Sequence, residues 1–324
     1  MTVKNEVLNI LEQYKGKSIS GQELAEKLCV SRTSIWKAIN SLKNEGYIIT
    51  GVSNKGYSLS KTSDILSSEG IRTFLSDEYK NISLTVHKTI GSTNTEAKLM
   101  SMKHADHGTV ILSEEQTEGR GRMGRSFYSP SESGIYMSII LKPKLNISDS
   151  VLITTAAAVA VCLSIDKFTN QYAEIKWVND VYIGGKKVCG ILTEAVTDME
   201  SGTVSSIVVG IGLNVQTELF PPELKETAGS IFSSREGHSI RNQLSAEIIN
   251  NILSICNEIE TRSFLKIYKD RSMILGERIR YLKNGKWIEG YAQDIDEHGG
   301  LVVFHDDDNK EILHSGEISV RKQQ

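Results

Sequence analysis

Residues 115–125 read EQTEGRGRMGR, which sets the guanidiniums of Arg120, Arg122 and Arg125 among Gly119, Gly121 and Gly124 with few apolar side chains to anchor them. Glycine lets backbone N–H groups approach an anion closely, and fork-shaped guanidiniums grip its oxygens, so this stretch has the chemistry of a phosphate-holding strap. A disordered basic surface loop would have the same composition. The G-x-G-x-x-G pattern inside it is not a dinucleotide fingerprint, because such a fingerprint opens a helix at once and here SFYSPSESG follows, a loop by its proline, glycine and serines. A protein kinase would need H-R-D-x-x-x-x-N and D-F-G, and a Walker loop G-K-[ST]; the sequence has none of these where they are required. Upstream, TIGSTNTEAK brings the short polar groups of Ser92, Thr93 and Asn94 to a helix start after the strand SLTVHKTI.

These residues need a frame to hold them. A chain of 324 residues exceeds one ordinary core, which points to two or three domains. Hydrophobic content of 39%, charged content of 24% and only four prolines describe a folded globular protein. The opening MTVKNEVLNILEQY lacks the apolar region and cleavage site of a signal peptide, so the expected location is the cytoplasm. The most apolar run, residues 150–165, is short for a bilayer and carries Thr154, Thr155 and Ser164, so a buried helix and no membrane partner are expected. Cys29, Cys162, Cys189 and Cys256 form no C-x-x-C pair, which predicts reduced, mostly buried thiols rather than zinc or disulfides.

Charge is uneven. Residues 1–62 hold nine Lys or Arg against five Glu, a net of +4, whereas the whole chain carries −3, leaving −7 for the rest. A basic first segment fits a polyanionic partner. Val7, Ile10, Leu11 and Tyr14 mark one amphipathic helix. In SISGQELAEKLCVSRTSIWKAINSLKNEG, Ser20 and Ser31 are placed to cap two more, with Cys29 and Val30 turning between them and Gly46 ending the second. Ile35, Ala38, Ile39 and Leu42 face the core, which leaves Arg32, Thr33, Trp36 and Lys37 outward. Two β-prone runs around Ser53-Asn54-Lys55-Gly56 add a hairpin. Three helices and a hairpin are the winged helix-turn-helix layout, in which those four residues would meet DNA and Lys55 a phosphate. The alternative is a solvated helix face.

Four sites occur in one order: G-S-T-N at 91–94, G-R-G-R-x-G-R at 119–125, K-W-x-N-D at 176–180 and G-I-G-x-N at 210–214. Together they are far more specific than any one alone, and on them the chain resembles the biotin protein ligases; with its helix-turn-helix front it is similar to the bacterial ligases that double as biotin-operon repressors. The resemblance implies that a biotin carboxylate attacks the α-phosphate of ATP to give biotinyl-5′-AMP, which a lysine of a biotin carboxyl carrier domain then accepts. It implies ureido contacts from Ser92, Thr93, Asn94 and Gln116. Arg120 and Arg122 would close over carboxylate and phosphate, flanked by Gly119 and Gly121. Lys187 would be the main catalytic residue, stabilising charge at the attacked phosphorus, and Lys176 would neutralise pyrophosphate. Asn179 and Asp180 would handle phosphates and Mg²⁺, with Asp180 a metal ligand, while Gly190, Gly212 and Asn214 line the pocket. Phe127 stands where some relatives carry a tryptophan that stacks on adenine, which implies weaker stacking. Val178 replaces the usual proline of K-W-P-N-D, which should loosen that loop.

From Gly276 onward, short β-prone runs alternate with turns at Asn284-Gly285 and Gly299-Gly300, a small antiparallel barrel. It resembles the SH3-like module that ends the family, and Arg321 falls where a C-terminal arginine approaches the nucleotide. Neither His104 and His107 nor HDDDNK at 305–310 has metal-site spacing, so both read as polar loops. The expected fold is α+β: residues 1–62 a winged helix-turn-helix, 63–270 a mixed-sheet catalytic domain, 271–324 the SH3-like domain. The resemblance further implies a strap that orders over biotinyl-5′-AMP, a homodimer built by that ordering, and operator DNA bound with the adenylate as corepressor. Two alternatives stay open: a ligand-sensing regulator without ligase chemistry, and a ligase for a related acid such as lipoate.

Overall fold

In the computed structural model the described residues are 2–52, 55–143, 150–197, 204–234, 239–283, 285–306, 309–314 and 321–322. The chain forms two compact units, Met1–Asn81 with Arg235–Glu247, and Ile82–Ser234 with Ile248–Gln324.

The first unit opens with α1 (Val3–Gln13), α2 (Gly21–Lys27) and α3 (Arg32–Asn44). Each begins where a hydroxyl satisfies an otherwise orphaned N–H: Thr2 accepts from Asn5, Ser20 from Glu23 and Ser31 from Ser34. Cys29 turns the chain between α2 and α3 with a left-handed φ of 52°, and Gly46 at φ 97° ends α3. The inward stripe of α3, with Ile35, Ile39 and Leu42, packs on Val7, Leu11 and Leu24. Each such burial contributes roughly 1.5–3 kcal/mol. The hairpin β1 (Ile49–Val52) and β2 (Gly56–Leu59) follows, with Ile49 opposite Leu59, and then the short helix α4 (Ser68–Arg72). Ser53 and Asn54 of the expected turn lie outside the described residues.

This unit also takes in residues far along the chain. Asn242 accepts from Ser67 N at 3.0 Å and donates to Ile65 O at 2.8 Å, and Ser239 donates to Ser63 O at 2.8 Å. Glu12, on α1, is buried with Lys15 Nζ at 3.4 Å. Burial pushes its carboxyl above the ordinary 4.5, against the pull of Lys15. A raised carboxyl keeps its proton in the fold when the unfolded chain would lose it, so stability falls as pH climbs past 4.5 toward the raised value. Glu12→Gln, which stays neutral, is therefore expected to melt higher than wild type at pH 7, with the gain vanishing below pH 4.5; melting curves across that range check it.

The second unit is built on a seven-stranded sheet in the order β3-β4-β5-β9-β8-β7-β6. Its strands are β3 (Leu84–Ile90), β4 (Thr109–Gln116), β5 (Gly134–Leu141), β6 (Glu174–Lys176), β7 (Asp180–Ile183), β8 (Lys186–Thr197) and β9 (Val204–Asn214). β3 and β4 are parallel and every other neighbouring pair is antiparallel, so the sheet is mixed. The parallel pair requires a crossover, which α5 (Thr93–Met102) supplies. Ala97 of α5 meets Ile111, Ile140, Val196 and Val208 on the sheet. All eight residues of β5 are buried, as its near-continuous apolar run dictates.

The apolar run at 150–165 is the helix α6 (Ser150–Phe168). Among the described residues it is the one helix long and apolar enough to cross a membrane, yet it lies mostly inside the unit. The cysteines are free, with Cys29 exposed and the other three buried. Residues after Gly276 form a five-stranded antiparallel sheet, in order β13-β12-β11-β10-β14, from β10 (Arg278–Lys283), β11 (Lys286–Ile295), β12 (Leu301–Phe304), β13 (Lys310–Leu313) and β14 (Arg321–Lys322). Trp177 Nε1 donates to Gly299 O of that segment at 3.0 Å. Asn284, the Asp307 and Asp308 positions and the side chain of Arg321 fall outside the described residues.

Candidate functional site

A cavity of about 590 Å³ opens on the second unit's sheet, within the size range of small-molecule sites. Its polar wall is the start of α5. Ser92 begins the helix with extended backbone and no side-chain cap bond, so its hydroxyl is not spent on the helix. Thr93 N and Oγ1 both reach Gln116 Oε1, at 2.9 and 3.1 Å, and Gln116 Nε2 donates to Ser129 Oγ at 3.0 Å. Asn94 is buried alongside.

The strap closes on itself. Phe127 N donates to Gly119 O at 2.9 Å and Gly121 N to Arg125 O at 2.7 Å, while the tip passes through left-handed Met123 and Gly124. Gly119 serves the loop rather than the cavity: a Cβ there would meet Phe127 O at 2.4 Å, and the residue does not line the pocket. Arg120, Gly121 and Arg122 do line it. Arg122 Nη1 donates to Asn179 Oδ1 at 3.0 Å, and its Nη2 is buried with no hydrogen-bond partner. Burial lowers the Arg122 guanidinium from its usual value, with Asp180 pulling the other way. A buried donor left without an acceptor is a place for an incoming anion.

Opposite, the turn from β6 to β7 pairs Lys176 with Asp180, and Asp180 in turn faces Gly190 of β8. Lys187 Nζ sits 2.7 Å from Asp180 Oδ1. Asn179 is fixed from both sides of its backbone and side chain, accepting from Ile191 N at 3.0 Å and donating from Nδ2 to Ile191 O at 2.9 Å. Lys176 Nζ lies 6.0 Å over the Tyr182 ring. The floor is glycine: Gly190 and Gly212 are cross-strand partners, and a Cβ on Gly212 would fall 2.5 Å from the Phe127 ring that lies over them. Asn214 ends β9, donates to Gly229 O at 3.0 Å and keeps a buried Oδ1 without a partner.

Spacing and resemblance place sixteen site residues in this region, and all except Gly119 line the cavity. The far wall carries no such signal in the sequence. Residues 227–229 return to pair with Lys187, whose N donates to Thr227 O at 2.9 Å and whose O accepts from Gly229 N at 2.8 Å. Leu224, Tyr128 and Phe220 also line it, the two rings 6.4 Å apart. No periodic pattern marks ELFPPELKETAGS, so nothing local signalled that return. In the first unit, Arg32, Thr33, Trp36 and Lys37 stand exposed on α3, Trp36 with 56% of its surface open, and Lys55 is exposed after β1.

A cationic, glycine-floored cavity on a mixed sheet, carried on one chain with a helix-turn-helix unit, defines a two-part class: a small-molecule core joined to a module of the kind that reads DNA. Comparison with known proteins agrees part by part. The profile of the Biotin/lipoate A/B protein ligase family matches residues 86–214, an HTH domain profile residues 3–58, and the Biotin protein ligase C terminal domain residues 274–321. The bifunctional ligase/repressor BirA of Bacillus subtilis is 34% identical over 98% of this chain and 99% of its own, and that of Escherichia coli 27% identical over 94% of each. The Aquifex aeolicus biotin protein ligase, solved in complex with biotin and ATP, superposes with a TM-score of 0.63 at 27% identity, covering 74% of this chain and 99% of that one. The chain belongs to the bifunctional ligase/repressor family of biotin protein ligases.

Proposed function

We propose that this protein joins biotin to ATP and passes the biotinyl group to a carrier protein, and that its liganded form represses transcription at operator DNA. The observation that carries the reading is the meeting of Arg120, Arg122, Lys176 and Lys187 in one cavity where, among the described residues, Asp180 is the single lining carboxylate. Two anions, a carboxylate and a triphosphate, are strongly opposed in low dielectric, and fixed cations offset that opposition without reorganising. In the first step a biotin carboxylate oxygen bonds to the α-phosphorus and the bond to the β-phosphate oxygen breaks, giving biotinyl-5′-AMP and pyrophosphate. In the second, a lysine amine of a biotin carboxyl carrier domain bonds to the acyl carbon, loses a proton, and AMP leaves.

Each residue has a part in that scheme. Ser92, Thr93 and Gln116 meet the ureido head, Phe127 covers the junction of vitamin and adenine, and Gly190, Gly212 and Asn214 leave room for both. Arg120 and Arg122 draw the strap over the phosphate, Lys187 holds the attacked phosphorus, and Lys176 meets the departing pyrophosphate. Asp180, a carboxylate in the cavity wall, would be the protein ligand of an Mg²⁺ that arrives on the nucleotide. Such an ion would supply charge neutralisation at the phosphates. The division at residues 62 and 270, the curl of the last five strands into an SH3-like barrel, a homodimer formed over bound adenylate as corepressor, and a cytoplasmic setting complete the reading.

Incubating the protein with biotin, MgATP and a biotin carboxyl carrier domain should add one biotinyl group to a single lysine by intact mass. An unchanged mass, with carrier folded and ATP intact, would refute it. For the repressor half, α3 presents its cations outward, so Lys37→Ala is expected to weaken operator binding evenly across sequences and to lower the slope of log affinity against log salt by about one. Fluorescence anisotropy across a salt series reads both.

A further inference from the structure

Behind the α5 wall lies a chain of hydrogen bonds that none of the assigned roles explains. Asn94 Nδ2 donates to Glu194 Oε2 at 2.9 Å and to Leu192 O at 3.2 Å, and Glu194 Oε1 takes Lys98 Nζ at 2.8 Å. Both partners of that amide nitrogen only accept, so the direction of the amide is fixed and Oδ1 must face the other way. There it meets Ser138 Oγ at 2.6 Å, a hydroxyl on β5 buried from solvent. An amide oxygen cannot donate, so the one Ser138 proton is committed to it. Ser138 then accepts from its other neighbour, Thr93 Oγ1, at 2.8 Å. Gln116 Oε1, already served by Thr93 N at 2.9 Å, is the longer alternative for the Thr93 proton at 3.1 Å. The threonine oxygen is left with lone pairs for the cavity.

We propose that Glu194 and Ser138 are positioning residues that orient the Asn94 amide and thereby fix the polarity of the pocket wall, with Thr93 as acceptor and the unspent Ser92 hydroxyl as donor. A head group carrying N–H beside C=O matches that wall, and a dithiolane offers it nothing. This rests on the biotin reading above, and it recasts Asn94 as a scaffold rather than a ligand contact.

Two further observations support it. Gly210 is what lets Asn94 lie there, since a Cβ on Gly210 would fall 2.1 Å from Asn94 Oδ1. Burial favours protonated Glu194, but hydrogen bonds from Lys98 and Asn94 outweigh it and hold the carboxyl below its ordinary value, so near neutrality it only accepts.

The test uses the full chain and biotin-dependent exchange of labelled pyrophosphate into ATP, with thermal melting to report folding. Glu194→Leu and Ser138→Ala should each raise the KM for biotin about tenfold while the KM for ATP stays within about twofold, the loss of one buried hydrogen-bond partner. Glu194→Gln, whose amide oxygen still accepts, should come back to within about threefold. Biotin affinity by calorimetry should fall in step with KM. Wild-type biotin KM in both Glu194→Leu and Ser138→Ala, or an equal rise in both substrates' KM, overturns the proposal. If Glu194→Leu does not fold, the smaller Ser138→Ala change decides alone. Wild-type protein without exchange would instead remove the ligase reading.

Discussion

Lys187→Ala is expected to slow biotin-dependent pyrophosphate exchange by about 10²–10³-fold, the usual cost of deleting a preorganised group that meets developing charge. Two unit anions about 4 Å apart at an effective dielectric of about 20 oppose each other by roughly 4 kcal/mol, which is the size of effect one fixed cation must offset. The Lys187 backbone is held on both sides, by Thr227 and Gly229, and its ammonium rests 2.7 Å from Asp180, so its position is set before any ligand arrives. Lys187→Arg keeps the charge but changes its shape and reach, and should recover only part of the rate. With about a third of the side chain exposed, the alanine variant should melt like wild type, which separates chemistry from folding. A loss below about tenfold would mean that the arginines of the strap, not Lys187, carry the step.

The cavity was legible in the sequence because its chemistry sits in short runs. The strap, the α5 start and the turn from β6 to β7 each carry their functional groups within ten or so residues of glycines and caps that shape them locally. The first unit was readable for the same reason: Ser20, Ser31 and Gly46 stand at the ends of α2 and α3 where their side chains or their φ angle act. What spacing could not reveal is pairing at long range. Asn94 meets Ser138 across 44 residues and Glu194 across 100, and nothing in a strand as apolar as β5 marks its one serine as a polar partner. Residues 227–229 find Lys187 through backbone bonds, which leave no trace in side-chain type.

The longest of these pairings should also be the most costly to break. Arg241, at the start of α7 (Arg241–Asn257), has a side chain only 2% exposed, with Nε 2.8 Å from Asp64 Oδ2, and Nη2 bonded to Asp64 O. Asp64 Oδ1 also accepts from Arg241 N at 3.1 Å, so a carboxylate 177 residues away in sequence serves as the cap that the helix's own first turn lacks. Removing one member of a buried pair strands the other, and Arg241→Ala should cost about 3–5 kcal/mol in the first unit. Because a two-unit protein need not unfold in one step, the loss is best read as amide exchange in α1 to α3 rather than from a single melting point. Asp64→Leu combined with Arg241→Met removes both charges and should regain much of the loss, since the desolvation cost of the pair disappears with it. Amide protection in α1 to α3 unchanged by Arg241→Ala would show that the pair is solvated in solution and that the apolar stripe of α3 alone holds the unit together.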